Sequence, residues 1–259
     1  MSVAEMRKTR FDGHFPIDVV KGLVFYILRG LDFLHRKANL VHADIQEDNI
    51  LLSVENETEL REVEEEEMSE PSPRKVYKDH TIYASTLLQI SGGEPVLCDF
   101  GEARFGQASY DEHALPDLYR APEILLGIEW TEKIDIWTLG LVMWTMVEGT
   151  NLFTDNKGGR WKSALPHMAR MISLLGPPPQ DLLDGAPDTK KYFKNGRFKK
   201  ADKVTRTSLE EEATILEGDE KAAFLRFLRR LLQWRASDRP SALELLKDPW
   251  LQPPTTTDD

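Results

Sequence analysis

VHADIQEDNILL, residues 41–52, sets Asp44 and Asn49 five positions apart in a short polar stretch between two apolar runs. A carboxylate held in such a loop can take the proton of a hydroxyl. An amide carbonyl and a second carboxylate can hold a hard divalent cation, which prefers oxygen ligands. Asp99 supplies the second carboxylate in Asp99-Phe100-Gly101, and Gly101 lets the backbone turn sharply after it. Ala121-Pro122-Glu123 forms a third motif further along. An Asp and an Asn at the spacing of Asp44 and Asn49 recur where an enzyme must hold a metal-bound nucleotide and deprotonate a hydroxyl.

Such groups need elements to position them. Residues 17–35 place Val20, Leu23, Val24, Ile27, Leu28, Leu31 and Leu34 at helical spacing, and Phe25 and Phe33 widen the stripe, predicting a largely buried helix. The catalytic-type stretch reads as strand, loop, strand, and residues 94–103 as a short strand entering a Gly turn. A buried helix is expected around residues 134–147, a shorter one over 167–176, an amphipathic one over 221–234 and a last one over 241–251. Residues 53–95 break this pattern with an acidic run and Glu70-Pro71-Ser72-Pro73-Arg74-Lys75, and read as a mobile surface insertion. Residues 177–218 are rich in loops, and their basic cluster at 194–200 reads as a solvated surface. The fold class expected is mainly α (α+β), helical with a few short strands.

Composition narrows the function classes. With 259 residues, 41% hydrophobic and 30% charged, the chain is an ordinary globular protein. Its net charge of −11 makes nucleic acid a poor direct partner and a basic protein a plausible one. The most apolar stretch, residues 134–147, contains Asp135 and falls short of the ~20 residues a bilayer span needs. No membrane association is expected. Cys98 is the single cysteine, expected as a small buried residue, and suits a reducing compartment such as cytoplasm or nucleus.

Taken in order, His42-x-Asp44-x4-Asn49, Asp99-Phe100-Gly101 and Ala121-Pro122-Glu123 resemble the eukaryotic serine/threonine protein kinases. Asp135 matches the helix aspartate that holds the catalytic-loop backbone in that family, and Arg239 the arginine that pairs with Glu123. The resemblance implies Asp44 as general base, Asn49 and Asp99 as ligands of the Mg2+ that bridges ATP phosphates, and Leu51 as the floor beneath adenine. It implies structural roles for His42, Phe100, Gly101, Glu123, Asp135 and Arg239, with His42 and Phe100 stacking upward to face water. Ala43, Arg120 and the residues around 167–179 are similar to the SR-protein kinases, and several stretches look most like a fungal subset of them. That implies Ser phosphorylation in basic, Arg/Ser-rich proteins. Ala43 stands where most kinases carry Arg, so activation by loop phosphorylation is not expected. On this reading residues 1–16 lie near the kinase hinge, 17–251 form the large lobe with 53–95 inserted, and 252–259 are a disordered tail.

The sequence departs from the family at two places. Gln46 stands where these kinases usually carry Lys, so a neutral amide replaces a charge that steadies the transferring phosphate. No Gly-x-Gly-x-x-Gly occurs anywhere, nor a Val-Ala-Ile-Lys-like strand before residue 41, so the chain reads as the large lobe with its nucleotide-covering lobe missing. The upper face would then be apolar and open to a partner. The alternative is a non-catalytic, pseudokinase-like module that binds basic peptides. A small-molecule phosphotransferase shares the Asp44–Asn49 spacing but lacks the Glu123 and Arg239 elements.

Overall fold

The computed structural model describes residues 1–54, 57–84, 93–112, 114–154 and 164–252. The expected tail lies outside the described residues from position 253 on, as do positions 55–56 and 85–92 of the acidic stretch. Helices α1 (Val3–Arg10) and α2 (Ile17–Phe33) open the chain. Short strands β1 (Leu40–Val41) and β2 (Ile50–Leu52) flank the loop that carries Asp44 and Asn49. The acidic stretch then forms α3 (Glu57–Ser69) and the antiparallel strands β3 (Arg74–Val76) and β4 (Thr81–Tyr83). No residue of α3 is buried, so this expected irregular stretch has local structure but adds nothing to the core.

Strands β5 (Pro95–Leu97) and β6 (Arg104–Phe105) bracket the Asp99 turn. They lead to α4 (Pro122–Leu126), α5 (Lys133–Glu148) and α6 (Ala164–Leu175). The remaining elements are α7 (Gln180–Gly185), α8 (Thr189–Tyr192), β7 (Phe193–Lys194), β8 (Arg197–Phe198), α9 (Leu209–Glu212), α10 (Gly218–Leu231) and α11 (Ala242–Leu245). Among the described residues every sheet has two strands, so the molecule is a mainly helical body with short ladders. No helix among them is long and apolar enough to cross a membrane.

Helix α5 is the axis of the core. Every residue from Ile134 to Val147 is buried, because α2 and α10 pack against it. Gly140 permits the closest approach: a Cβ there would meet Leu232 Cδ2 at 3.0 Å and Leu231 Cβ at 3.2 Å. The α2 stripe is buried at Val20, Leu23, Val24, Ile27, Leu28 and Leu31. Phe25 and Phe33, expected to widen it, lie outside: they are 36% and 61% exposed, on the solvent side of the helix. The last helix ends at Leu245, earlier than its pattern. Asp248 accepts a hydrogen bond from Trp250 N at 2.9 Å.

Candidate active site

Two ladders bring the candidate residues together. Leu40 and Val41 of β1 pair with Phe105 and Arg104 of β6. Ile50, Leu51 and Leu52 of β2 pair with Leu97, Val96 and Pro95 of β5. The loop 42–49 and the turn 98–103 thus span the same gap between the same two ladders, and must lie side by side. Cys98 N donates to Asn49 O at 2.9 Å and extends the second ladder, so Asn49 and Asp99 leave it at one end.

The loop backbone is strained and held from below. Ala43 has φ 63°, a left-handed conformation that is unfavourable for a residue with a Cβ. Asp135, fully buried near the start of α5, offsets this strain. Its Oδ1 accepts from Ala43 N and its Oδ2 from His42 N, both at 2.9 Å. His35 Nε2 sits 2.8 Å from the same Oδ2, a second support that the sequence did not reveal. His42 corrects an expectation: it is fully buried and does not face water. Its Nδ1 accepts from Asp44 N at 3.3 Å and its Nε2 donates to Cys98 O at 3.1 Å, so the ring stitches one loop to the other. Phe100, 45% exposed, leans on that ring with centroids 4.9 Å apart. Cys98 itself is only half-buried.

At the centre, Asp44 Oδ2 accepts from Gln46 Nε2 at 3.0 Å and from Asn49 Nδ2 at 2.8 Å. Asn49 Nδ2 also donates to Asp44 O at 2.9 Å. The amide nitrogen is therefore committed to Asp44, which leaves the Asn49 carbonyl oxygen for a cation. Asp44 Oδ1 is buried and has no hydrogen-bond partner. Asp99 is exposed, with φ 62°. Its Oδ1 accepts from Gly101 N at 3.2 Å, which fixes the turn. The buried acceptor and the available amide oxygen beside a turn bearing an exposed carboxylate fit a hydroxyl and a divalent cation. Among the described residues no three His, Cys, Asp or Glu side chains cluster for a metal. Leu51 is 37% exposed opposite Val96, and both form part of an apolar upper face.

A cleft of about 570 Å³ opens beside the loop, lined in part by Glu47, Asp48, Tyr119 and Trp144. Burial, then the Glu47, Asp48 and Asp44 carboxylates, push the Tyr119 phenol up to about 12. Further down, Glu123 and Arg239 form a buried bidentate pair at 2.6 and 2.7 Å, and Arg239 also donates to the carbonyls of Lys133 and Gln233. The structure brings Asp44, Gln46 and Asn49 into one hydrogen-bonded group, sets Asp135 beneath the loop and pairs Glu123 with Arg239.

Residues 76–251 match the protein kinase domain family. A serine/threonine protein kinase of Aspergillus fumigatus is 43% identical over 243 residues, 91% of this chain and 58% of that protein. Dual specificity tyrosine-phosphorylation-regulated kinase 3 of Mus musculus is 28% identical over 272 residues, 96% of this chain and 39% of the mouse protein. The serine/threonine-protein kinase SRPK of Physarum polycephalum is 25% identical over 260 residues, 91% of this chain and 61% of that protein. The helical body with its two apposed loops is that of a protein kinase large lobe. The chain belongs to the eukaryotic protein kinase family. It spans little more than half the length of the Aspergillus relative.

Proposed function

We propose that the protein is an ATP-dependent serine/threonine kinase in which Asp44 is the general base, and Asn49 and Asp99 hold Mg2+. The observation that carries this reading is the asymmetry of Asp44, with Oδ2 doubly bonded and Oδ1 buried without a partner. An unpaired buried acceptor is costly, and a substrate hydroxyl donating to it would relieve that cost. The magnesium nucleotide supplies the phosphoryl group and neutralises charge as it transfers. Asp44 takes the hydroxyl proton at Oδ1, while Gln46 and Asn49 hold the carboxylate in line. Gln46 brings no charge to the phosphate, so transfer is slower than with a Lys there. Leu51 would lie beneath the adenine, on the apolar face it shares with Phe100.

The substrate we propose is serine in a basic, Arg/Ser-rich protein, of the SR-protein-kinase type. The net charge of −11 supports this, as does similarity to a kinase named SRPK. Within the cleft, Asp48 is exposed and available to a cationic substrate side chain, whereas Glu47 is already paired with Arg7. Ala43 offers no guanidinium to receive a phosphorylated loop, which favours a kinase that needs no such activation. Cytoplasm or nucleus is the compartment proposed. A purely peptide-binding module would have no use for the unpartnered Asp44 oxygen. The test is phosphate incorporation into an Arg/Ser peptide by the natural full-length protein with magnesium ATP. Asp99→Ala should abolish incorporation, and Asp48→Lys should raise the peptide KM. No incorporation by the native protein would overturn the proposal.

A further inference from the structure

Arg7 belongs to an outer helix, and nothing about its sequence neighbourhood marks it as part of a site. Its direction is set by a capping box at the start of α1. Ser2 Oγ accepts from Glu5 N at 3.1 Å, and Glu5 Oε2 accepts from Ser2 N at 2.8 Å. One turn on, Arg7 points inward. Its Nε and Nη2 donate to the two carboxylate oxygens of Glu47 at 2.7 and 2.8 Å. Both side chains are almost fully buried, at 8% and 7% exposure. Nη1 donates to Gly13 O and, at 3.4 Å, to Gly149 O at the end of α5.

A buried ion pair is weak evidence for stability, since apolar residues of similar volume often serve as well. What a fork-on-carboxylate pair supplies is fixed geometry. Glu47 begins the short 3-10 turn Glu47–Asn49, so its position sets where Asn49 stands. Asp135 fixes the start of the loop at His42 and Ala43. We infer that Arg7 is a positioning residue that fixes the other end, clamping Glu47 so that Asn49 meets Asp44 and turns its carbonyl to the cation. The inference rests on the proposed roles of Asp44 and Asn49. It makes α1 part of the catalytic apparatus, acting through the loop without touching substrate.

The test uses the full-length protein with Arg7→Met, which removes the fork while keeping length, and Arg7→Lys, which keeps charge but loses the bidentate geometry. Amide hydrogen exchange is followed across residues 44–50 and, as internal controls, across 17–31 and 134–147. Both variants should speed exchange in the loop while leaving the two core helices unchanged. The cation concentration giving half-maximal phosphate transfer should rise by about 10-fold, as for other residues that orient a metal ligand. Unchanged loop exchange in the folded Lys variant would overturn the inference, as would an equal rise in all three segments. Exchange needs no turnover, so a native protein that transfers no phosphate would sink the proposed function while leaving this clamp to be decided on its own.

Discussion

At the residue scale, the site depends on how a few polar atoms are shared. Asn49 commits its nitrogen to Asp44 and Gln46 does the same, so one carboxylate oxygen is locked and the other is left over. Gln46 is the residue where charge is missing. Gln46→Lys should raise kcat several-fold with peptide KM unchanged, because a cation near the transferring phosphate stabilises charge that develops there. Steady-state kinetics on the full-length protein check this; an unchanged or lower kcat would show that the amide is needed to hold Asp44. That Asp44, Gln46 and Asn49 meet was legible in the sequence because they stand close together along one short loop. Their supports were not. Arg7 and His35 lie 40 and 100 positions from the groups they hold, and nothing local distinguishes them from surface charges. His42 was expected to face water on an apolar face left open above the loop, but its hydrogen bond to Cys98 O holds it inside the fold.

At the element scale, short strands and buried helices convert distant sequence into one site. The gap between β1–β6 and β2–β5 sets loop against loop, and α5 presents Asp135 beneath them. The core helix α5 was legible as an apolar run, whereas α3 was hidden by a composition that reads as unstructured. Helix α6 carries a further consequence. Burial, then the nearby Arg120 guanidinium, push His167 down to about 4. It packs on Phe153 with centroids 5.0 Å apart. The folded state therefore binds a proton less readily than the unfolded chain, in which histidine titrates near its ordinary value. Stability from this group is fully present above pH 6.5 and is lost as the pH falls towards 4. The pKa difference corresponds to roughly 3 kcal/mol. Urea unfolding at pH 7.5 and pH 4.5 should show native protein losing much of its stability, and His167→Gln losing less. Equal losses in both would contradict the assignment.

At the scale of the whole molecule, Glu123 and Arg239 join parts of the chain that are 116 residues apart. Arg239 lies 5.0 Å from the Trp137 ring centroid, so the pair also ties α4 to α5. Removing one partner strands a buried charge: Glu123→Gln should cost ~3–5 kcal/mol in denaturant unfolding. A cost below about 1 kcal/mol, the range of an exposed pair, would show that water reaches the site. The fold class was legible because apolar helices dominate. Leu51 and Phe100, expected on an exposed apolar face, are 37% and 45% exposed, whereas His42, expected with them, is buried.

The central claim is that Asp44 Oδ1 receives the substrate proton. Its most direct measurement is kcat for Asp44→Asn in the full-length protein, with the KM for ATP determined alongside. The amide keeps the size of the side chain but cannot act as base, so kcat should fall by about 10²–10⁴-fold with the ATP KM unchanged. An Asp44→Asn enzyme turning over within a few-fold of native would contradict the account.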